Sequence, residues 1–153
     1  GINAKMSELH AAVGLAQLRH IDEAIMKRRL VAEFYLKRLA DVHGLIMPDY
    51  DQCMRSNYAY MPVRIMAHYG MRREELLARM YACNVIPRRY FHPLISEYQY
   101  YRDNRSANEA KLLVAKAVAS EILCLPIYPG LAEIDVARIC SIIVDSRNTC
   151  STC

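Results

Sequence analysis

The sequence lacks the features that mark a membrane span, a secretory leader or a disordered chain. Its most apolar stretch, residues 122 to 131, is short and contains Pro126 and Pro129, so it cannot cross a bilayer as a helix. The opening residues have no basic-then-apolar pattern of a signal peptide, and no low-complexity block occurs. We therefore expect a cytoplasmic globular domain without a membrane partner, with 54% hydrophobic and 24% charged residues.

Several catalytic motifs are also missing. The sequence contains no glycine-rich phosphate loop, no nucleophile-elbow serine motif and no paired acidic motif. Four histidines are scattered at spacings that are not typical of metal ligands: His10, His20, His43 and His68. We predict no metal site.

The six cysteines do not indicate a disulfide framework or a zinc site. Cys83, Cys124 and Cys140 lie within apolar patterns and are expected to pack as small hydrophobes. Cys150 and Cys153 have the spacing of a redox or metal-binding pair, but no second pair accompanies them. We interpret residues 146–153 as a frayed tail, and the setting as a reducing cytoplasm.

The net charge of +4 is carried by short basic clusters interleaved with acidic residues. The clusters occur at residues 27–29, 72–73 and 88–89. Solvated faces account for most of them, and binding to nucleic acid is the less favoured alternative.

A long helical segment is predicted first, over residues 6 to 39. Apolar residues recur at intervals of three or four, and no proline interrupts them. Ser7 or Asn3 is a suitable N-cap, and Asp22 a possible second cap, which predicts a kink near His20. Glycine and proline then end the helical segment before a polar loop over residues 49 to 57.

Strands and helices are predicted to alternate after that loop. The order is a strand at 58 to 65, a helix at 71 to 83, a short strand at 85 to 87, a loop at 88 to 105, a helix at 107 to 121, a strand at 123 to 126 and a helix at 131 to 145. This order indicates an α+β domain, with a small sheet covered by helices. So few strands cannot cover the first long helix, which should therefore keep an exposed apolar flank for a partner.

Some details within these elements are also predicted. Pro62 favours an edge strand or a bulge because it lacks an amide hydrogen, and Asn84 suits the left-handed position after a helix. The inward residues of the second predicted helix are Leu76, Leu77, Met80 and Tyr81. Those of the helix at 107 to 121 are Ala110, Leu113, Val114 and Ala117.

Five sequence blocks together resemble the DegT/DnrJ/StrS aminotransferases. The first block runs from Gly1-Ile-Asn3-Ala-Lys5-Met6 through Ala11-Ala-Val-Gly14 to Gln17-Leu18, with Lys5 where the family has arginine. The others are the Arg28-Arg29 helix, the Asn57-Tyr58 strand, Arg88-Arg-Tyr-Phe-His-Pro-Leu94 and Leu123-Cys-Leu-Pro-Ile-Tyr128. The resemblance covers residues 1 to about 145.

The resemblance implies the small C-terminal domain of the aspartate-aminotransferase-like architecture, called fold type I. Residues 1–145 would form this domain, and residues 1–40 would pack on a missing N-terminal large domain. Family members are homodimers that use pyridoxal phosphate to transfer an amino group, commonly from glutamate, to a nucleotide-linked keto sugar. The Arg-Arg-Tyr-Phe form of the loop most resembles members that aminate dideoxy sugars.

The resemblance also implies that this chain lacks the Schiff-base lysine. None of the five lysines matches that position in the family: Lys5, Lys27, Lys37, Lys111 and Lys116. A Schiff-base lysine must be desolvated and held over the cofactor. We therefore expect no catalytic residue here, no cofactor bound by this chain alone and no activity alone. A non-catalytic module for interaction or self-association is the alternative.

The resemblance assigns two groups of binding residues. Asn3 matches the asparagine that reaches the cofactor phosphate of the neighbouring subunit, and Lys5 could add charge there; a helix cap and a solvated side chain are the alternatives. In the loop, arginines suit a diphosphate or a carboxylate, and aromatic rings suit a sugar or a base. The expected substrate-binding residues are Arg88, Arg89, Tyr90 and His92. One arginine is expected to bind substrate, although its partner could pair with an acidic residue, and His92 could be structural.

Overall fold

The structure, a computed structural model, describes residues 4–50, 55–107 and 111–148. Its regular elements are α1 (Glu8–Leu18), α2 (Ile21–Leu39), β1 (Leu45–Ile46), β2 (Met61–Ile65), α3 (Arg73–Ala82), α4 (Leu113–Glu121), β3 (Ile122–Leu125) and α5 (Glu133–Asn148). Helices and a small antiparallel sheet in this order confirm the predicted α+β class.

The long helical segment is divided into two helices at residues 19 and 20, which confirms the kink predicted near His20. Ser7 caps α1, since its hydroxyl accepts a hydrogen bond from the amide of His10 at 3.4 Å. At α2 the N-cap is His20, whose side chain makes no capping bond. The prediction of Asp22 as a cap is wrong, because Asp22 lies inside the first turn, where its charge instead favours the positive helix end.

Only the C-terminal half of α2 enters the core. Val31, Ala32, Tyr35 and Leu39 are buried there, and the Tyr35 hydroxyl donates to the carbonyl of Pro126 at 3.1 Å. In contrast, α1 has no buried residue. Its apolar side chains are more than half exposed: Leu9, Val13, Leu15 and Leu18. The exposed apolar flank predicted for this segment is therefore present.

The sheet has the order β1-β2-β3, with both neighbouring pairs antiparallel. The edge position predicted for Pro62 is wrong, because β2 is the central strand. Pro62 pairs with Cys124, whose amide and carbonyl both bond to Arg88 on the other side. The nitrogen of Pro62 therefore faces the β1 side, where the last pair is Ile46 with Arg64, so no ladder bond is lost.

The short strand predicted at residues 85 to 87 does not form. A single antiparallel bridge joins Arg88 to Cys124 instead. The strand predicted from residue 58 begins at Met61, and the one predicted at 123 to 126 lies at Ile122–Leu125. Asn84 has a φ of 57°, which confirms its left-handed position after α3.

The core lies between the sheet and helices α2, α3 and α5. Leu76, Leu77 and Met80 of α3 are buried as predicted, but Tyr81 is 49% exposed. In α4 the predicted inward side is wrong for Leu113, Val114 and Ala117, which are all exposed. Residues 112 to 119 are apolar except for Lys116, so their spacing does not single out one face. Ala110 lies outside the described residues.

The last helix is longer than predicted. Residues 146 to 148, predicted as part of a tail, continue α5, and Ser146 is buried. The pair Cys150 and Cys153 lies outside the described residues. Cys124 and Cys140 are buried and Cys83 is half-buried; burial raises the pKa of the Cys140 thiol to about 11. Within the described ranges, no helix combines the length and apolar character that a membrane span requires.

Candidate functional site

The candidate site is built on the segment that crosses the outer edge of β3. Arg88 donates its amide to the carbonyl of Cys124 at 2.9 Å, and Cys124 donates back to the carbonyl of Arg88 at 2.7 Å. Main-chain atoms alone make these two bonds, and Cys124 is buried. The loop of residues 88 to 93, which we call the arginine loop, therefore starts from a fixed point on the sheet.

Three aromatic rings form one surface beside this fixed point. Tyr90 and Phe91 are stacked with ring centroids 5.1 Å apart. Tyr60, just before β2, meets them edge-on at centroid distances of 5.5 and 6.1 Å. Phe91 is 66% exposed, so part of this aromatic surface is open to a ring-shaped ligand.

The two arginines of the loop differ in their partners. A terminal nitrogen of Arg89 lies 3.5 Å from Oε2 of Glu74, at the start of α3. The side chain of Arg88 is exposed and makes no hydrogen bond or ion pair with any other residue that the structure describes. Of these two arginines, only Arg88 presents a guanidinium without a partner among the described residues.

Glu74 is itself held by a buried arginine. Its Oε1 accepts hydrogen bonds from Nε of Arg73 at 3.0 Å and from Nη2 of Arg73. The side chain of Arg73 is only 5% exposed, and its Nη1 donates to the carbonyls of Ala119 and Ile122. The hydrogen bond from Arg73 is the main cause that lowers the pKa of Glu74, and the charges of Arg73, Arg89 and His92 act in the same direction.

A groove of about 380 Å³ opens over the arginine loop. All four predicted substrate-binding residues line it: Arg88, Arg89, Tyr90 and His92. Tyr98 also contributes to its wall, but Tyr98, Tyr100 and Tyr101 are each at least 51% exposed. These three tyrosines are therefore mostly open to solvent within the part of the chain that the structure describes.

Of the two predicted cofactor-binding residues, only Lys5 belongs to the part of the chain that the structure describes. Asn3 lies outside the described residues, and Lys5 is exposed and absent from the groove lining. Lys27, Lys37 and Lys111 are also exposed, and Lys116 is half-buried. A lysine that anchors pyridoxal phosphate covalently must be buried, and none of the five lysines is buried in this structure.

Sequence reasoning missed Tyr60, Arg73 and Glu74 as neighbours of the loop. The signal for Glu74 was the run Arg72-Arg-Glu-Glu75 at a helix start, because mixed charges there often form ion pairs. The sequence alone does not show that one of these carboxylates faces a residue fifteen positions later. Among the described residues, no three His, Cys, Asp or Glu side chains are grouped to hold a metal ion.

Comparisons with known proteins agree along nearly the whole chain. The family model of the DegT/DnrJ/EryC1/StrS aminotransferases matches residues 1–144. Among curated proteins, dTDP-4-amino-4,6-dideoxy-D-glucose transaminase of Escherichia coli is 38% identical over 144 residues, which cover 94% of this chain and 39% of the relative. GDP-perosamine synthase of Caulobacter vibrioides is 27% identical over 142 residues, which cover 91% and 37%.

The fold is also found in solved structures. The crystal structure of DesI in the presence of its TDP-sugar product superimposes with a TM-score of 0.87 at 30% sequence identity. The match covers 99% of this chain and 39% of that chain. The chain thus spans about 39% of the length of both the Escherichia coli relative and the DesI chain.

Proposed function

Because the chain belongs to the DegT/DnrJ/EryC1/StrS aminotransferase family, we propose that it is the C-terminal, substrate-facing part of a sugar aminotransferase. Its small α+β domain has the fold-type I architecture of that family. In the intact enzyme, pyridoxal phosphate would mediate amino transfer from glutamate to a nucleotide-linked keto sugar. The observation that carries the proposal is the unpaired guanidinium of Arg88 beside an open aromatic surface, both facing one groove.

The chemistry of the groove matches a nucleotide sugar at two points. A guanidinium binds phosphate oxygens through charge-assisted hydrogen bonds, which are stronger than neutral ones. Aromatic faces such as those of Tyr90 and Phe91 give apolar area for a sugar or a base. Consistent with this, the names of two of the relatives contain dTDP-4-amino-4,6-dideoxy-D-glucose and GDP-perosamine, and the DesI structure was determined in the presence of a TDP-sugar product.

The cofactor would be shared with the rest of the polypeptide. Bound pyridoxal phosphate supplies the electron sink for amino transfer. In this proposal, Asn3 donates a hydrogen bond to the cofactor phosphate of the opposite subunit, and Lys5 adds positive charge nearby. The remaining polypeptide supplies the covalent lysine, because none of the described lysines is buried. This chain alone is then inactive.

A second candidate is a module for self-association, which the uncovered apolar residues of α1 favour. In the aminotransferase reading, the same residues pack on the large domain of the enzyme. The two candidates differ in ligand binding, since only the first requires the groove to bind a nucleotide.

The proposed function can be tested by titrating the chain with dTDP and following its backbone amides by NMR. We expect shift changes concentrated at the arginine loop and Tyr60, with inorganic phosphate at the same concentration as the control. Changes scattered over the surface, or none at the loop, would contradict the proposal.

Inactivity of the chain alone has a separate measurement. After incubation with pyridoxal phosphate and reduction with borohydride, mass spectrometry should show slow, scattered labelling of exposed lysines. A single stoichiometric lysine adduct, with amino transfer from glutamate to a nucleotide keto sugar, would show that this chain is a complete enzyme.

A further inference from the structure

Arg73 ties three elements together at one buried point. It is the first residue of α3, and its guanidinium reaches the carbonyl of Ala119 near the end of α4 and that of Ile122 at the start of β3. A buried guanidinium is stable only when its donors are satisfied and its charge is balanced. Glu74 supplies the balancing charge, and Arg73 in turn fixes the position of the Glu74 carboxylate.

The two oxygens of that carboxylate have different partners. Oε1 accepts from Arg73, whereas Oε2 faces Arg89 at 3.5 Å. The pair with Arg89 is partly exposed, with side-chain exposures of 46% and 52%. Glu74 therefore connects a rigid buried group to a loop that reaches solvent.

The arginine loop is consequently held at two successive residues by different means. Main-chain bonds to Cys124 hold Arg88, and the Glu74 carboxylate holds the side chain of Arg89. An arginine already paired with a carboxylate must give up that partner to bind another anion, whereas Arg88 has no such partner among the described residues. The geometry thus separates the two neighbouring arginines by role.

We propose that Glu74, oriented by Arg73, is a positioning residue that fixes Arg89 and with it the arginine loop, and that Arg88 is the arginine that binds the anionic group of the substrate. The role given to Arg88 rests on the proposed function. The positioning of the loop by Glu74 does not depend on it.

The variant Glu74→Gln tests the positioning. Glutamine keeps an oxygen that can accept from Arg73 but removes the charge that balances Arg73 as well as the charge that faces Arg89. Arg89→Gln removes only the contact with Arg89 and therefore separates the two effects. The matched control is Glu75→Gln, since Glu75 lies in the same helical turn and pairs with the exposed Arg72 at 2.8 Å. Thermal unfolding of both variants checks that the fold persists.

Hydrogen exchange of the Arg88 and Cys124 amides is the first readout. We expect exchange to be faster by roughly two- to five-fold in Glu74→Gln and in Arg89→Gln, the range that partly exposed ion pairs give. In the double variant Glu74→Gln/Arg89→Gln, the amides should exchange no faster than in the faster-exchanging single variant. Exchange in Glu75→Gln should match the wild type. Unchanged exchange in Glu74→Gln would overturn the positioning role.

Binding of dTDP is the second readout. Whether Glu74→Gln weakens or strengthens this binding distinguishes two possible roles of Arg89. If Arg89 acts only through Glu74, both Glu74→Gln and Arg89→Gln weaken binding to a similar extent, and Arg88→Gln weakens it by roughly ten-fold or more. If Arg89 itself binds the anion, Glu74→Gln strengthens binding because a competing carboxylate is lost, and the proposal is overturned. A wild-type chain that does not bind dTDP contradicts the proposed function, and the exchange measurement still decides the positioning.

Discussion

Gly44 shows how one residue can control the join between the helical segment and the sheet. It is buried, with a φ of 89°, and its carbonyl accepts a hydrogen bond from the amide of Met66 at 2.9 Å. A methyl group at this position would overlap the backbone nitrogen and Cα of Tyr69. Both the backbone conformation and the close approach therefore require glycine.

We expect Gly44→Ala to destabilise the fold by about 3 kcal/mol or more, because left-handed strain and a backbone overlap add together. Gly70→Ala is the matched control: its φ is 94°, but no atom lies within 4 Å of the added carbon. Strain alone should cost about 1–2 kcal/mol there. Urea unfolding of both variants measures the difference, and equal losses would show that the contact with Tyr69 does not matter.

Residue types in the candidate site were predictable, but their pairing was not. The sequence places two arginines, a tyrosine and a histidine in one loop, and the structure places all four around one groove. Which arginine is paired depends on Glu74, which lies in a different element and reaches Arg89 only after the chain has folded. Local spacing contains no information on such a contact.

At the scale of elements, α1 and α2 continue one sequence pattern but have different surroundings. Leu9 on α1 is 74% exposed, whereas Leu39 on α2 is 1% exposed and belongs to the core cluster. Burial, and with it the contribution to stability, therefore begins within α2 rather than at the start of the pattern.

The same substitution at both leucines tests this difference. Leu39→Ala should lower the free energy of unfolding by about 2–5 kcal/mol, because it leaves a cavity in the core. Leu9→Ala should change it by about 0.5 kcal/mol or less in the chain alone. Chemical denaturation followed by circular dichroism gives both values. A large loss at Leu9 would mean that α1 is covered by a partner surface.

Element types were more predictable than element positions in the fold. Helical spacing and the switch to alternating residues gave the correct order of the main helices and strands. The tolerance of Pro62 in a central strand could not be derived, because it depends on β1 having only two residues and on Cys124 bonding to Arg88. The prediction of the buried side of α4 was wrong because residues 112 to 119 are apolar except for Lys116, so their spacing marks no single face.

At the scale of the whole molecule, we expect the chain alone to associate through α1. Several large apolar side chains of this helix are exposed together, and such a surface favours self-association. Leu9→Lys should reduce the mass measured by light scattering, because it removes apolar area and adds charge repulsion. Gln17→Lys adds the same charge on an exposed polar residue of α1 and should have less effect. A wild-type chain that stays monomeric at high concentration would contradict this prediction.

The α+β class and the family were predictable because ordered motifs cover almost the whole chain. The surface that covers α1 was not predictable from the sequence, since either a second copy of the chain or another domain could pack on an exposed apolar face. The chain matches about 39% of the length of its relatives. Because the relatives are longer than this chain, we propose that α1 packs on a further domain rather than on a second copy.

The bridge between Arg88 and Cys124 has a consequence for how recognition can diversify. Because the bridge uses only main-chain atoms, including the amide hydrogen of residue 88, it can form with any residue other than proline at that position. Mutation at that position can therefore exchange the chemical group offered to a ligand while the strand edge keeps its course. Such a site can acquire a new ligand preference by a single codon change, without a compensating change in the sheet.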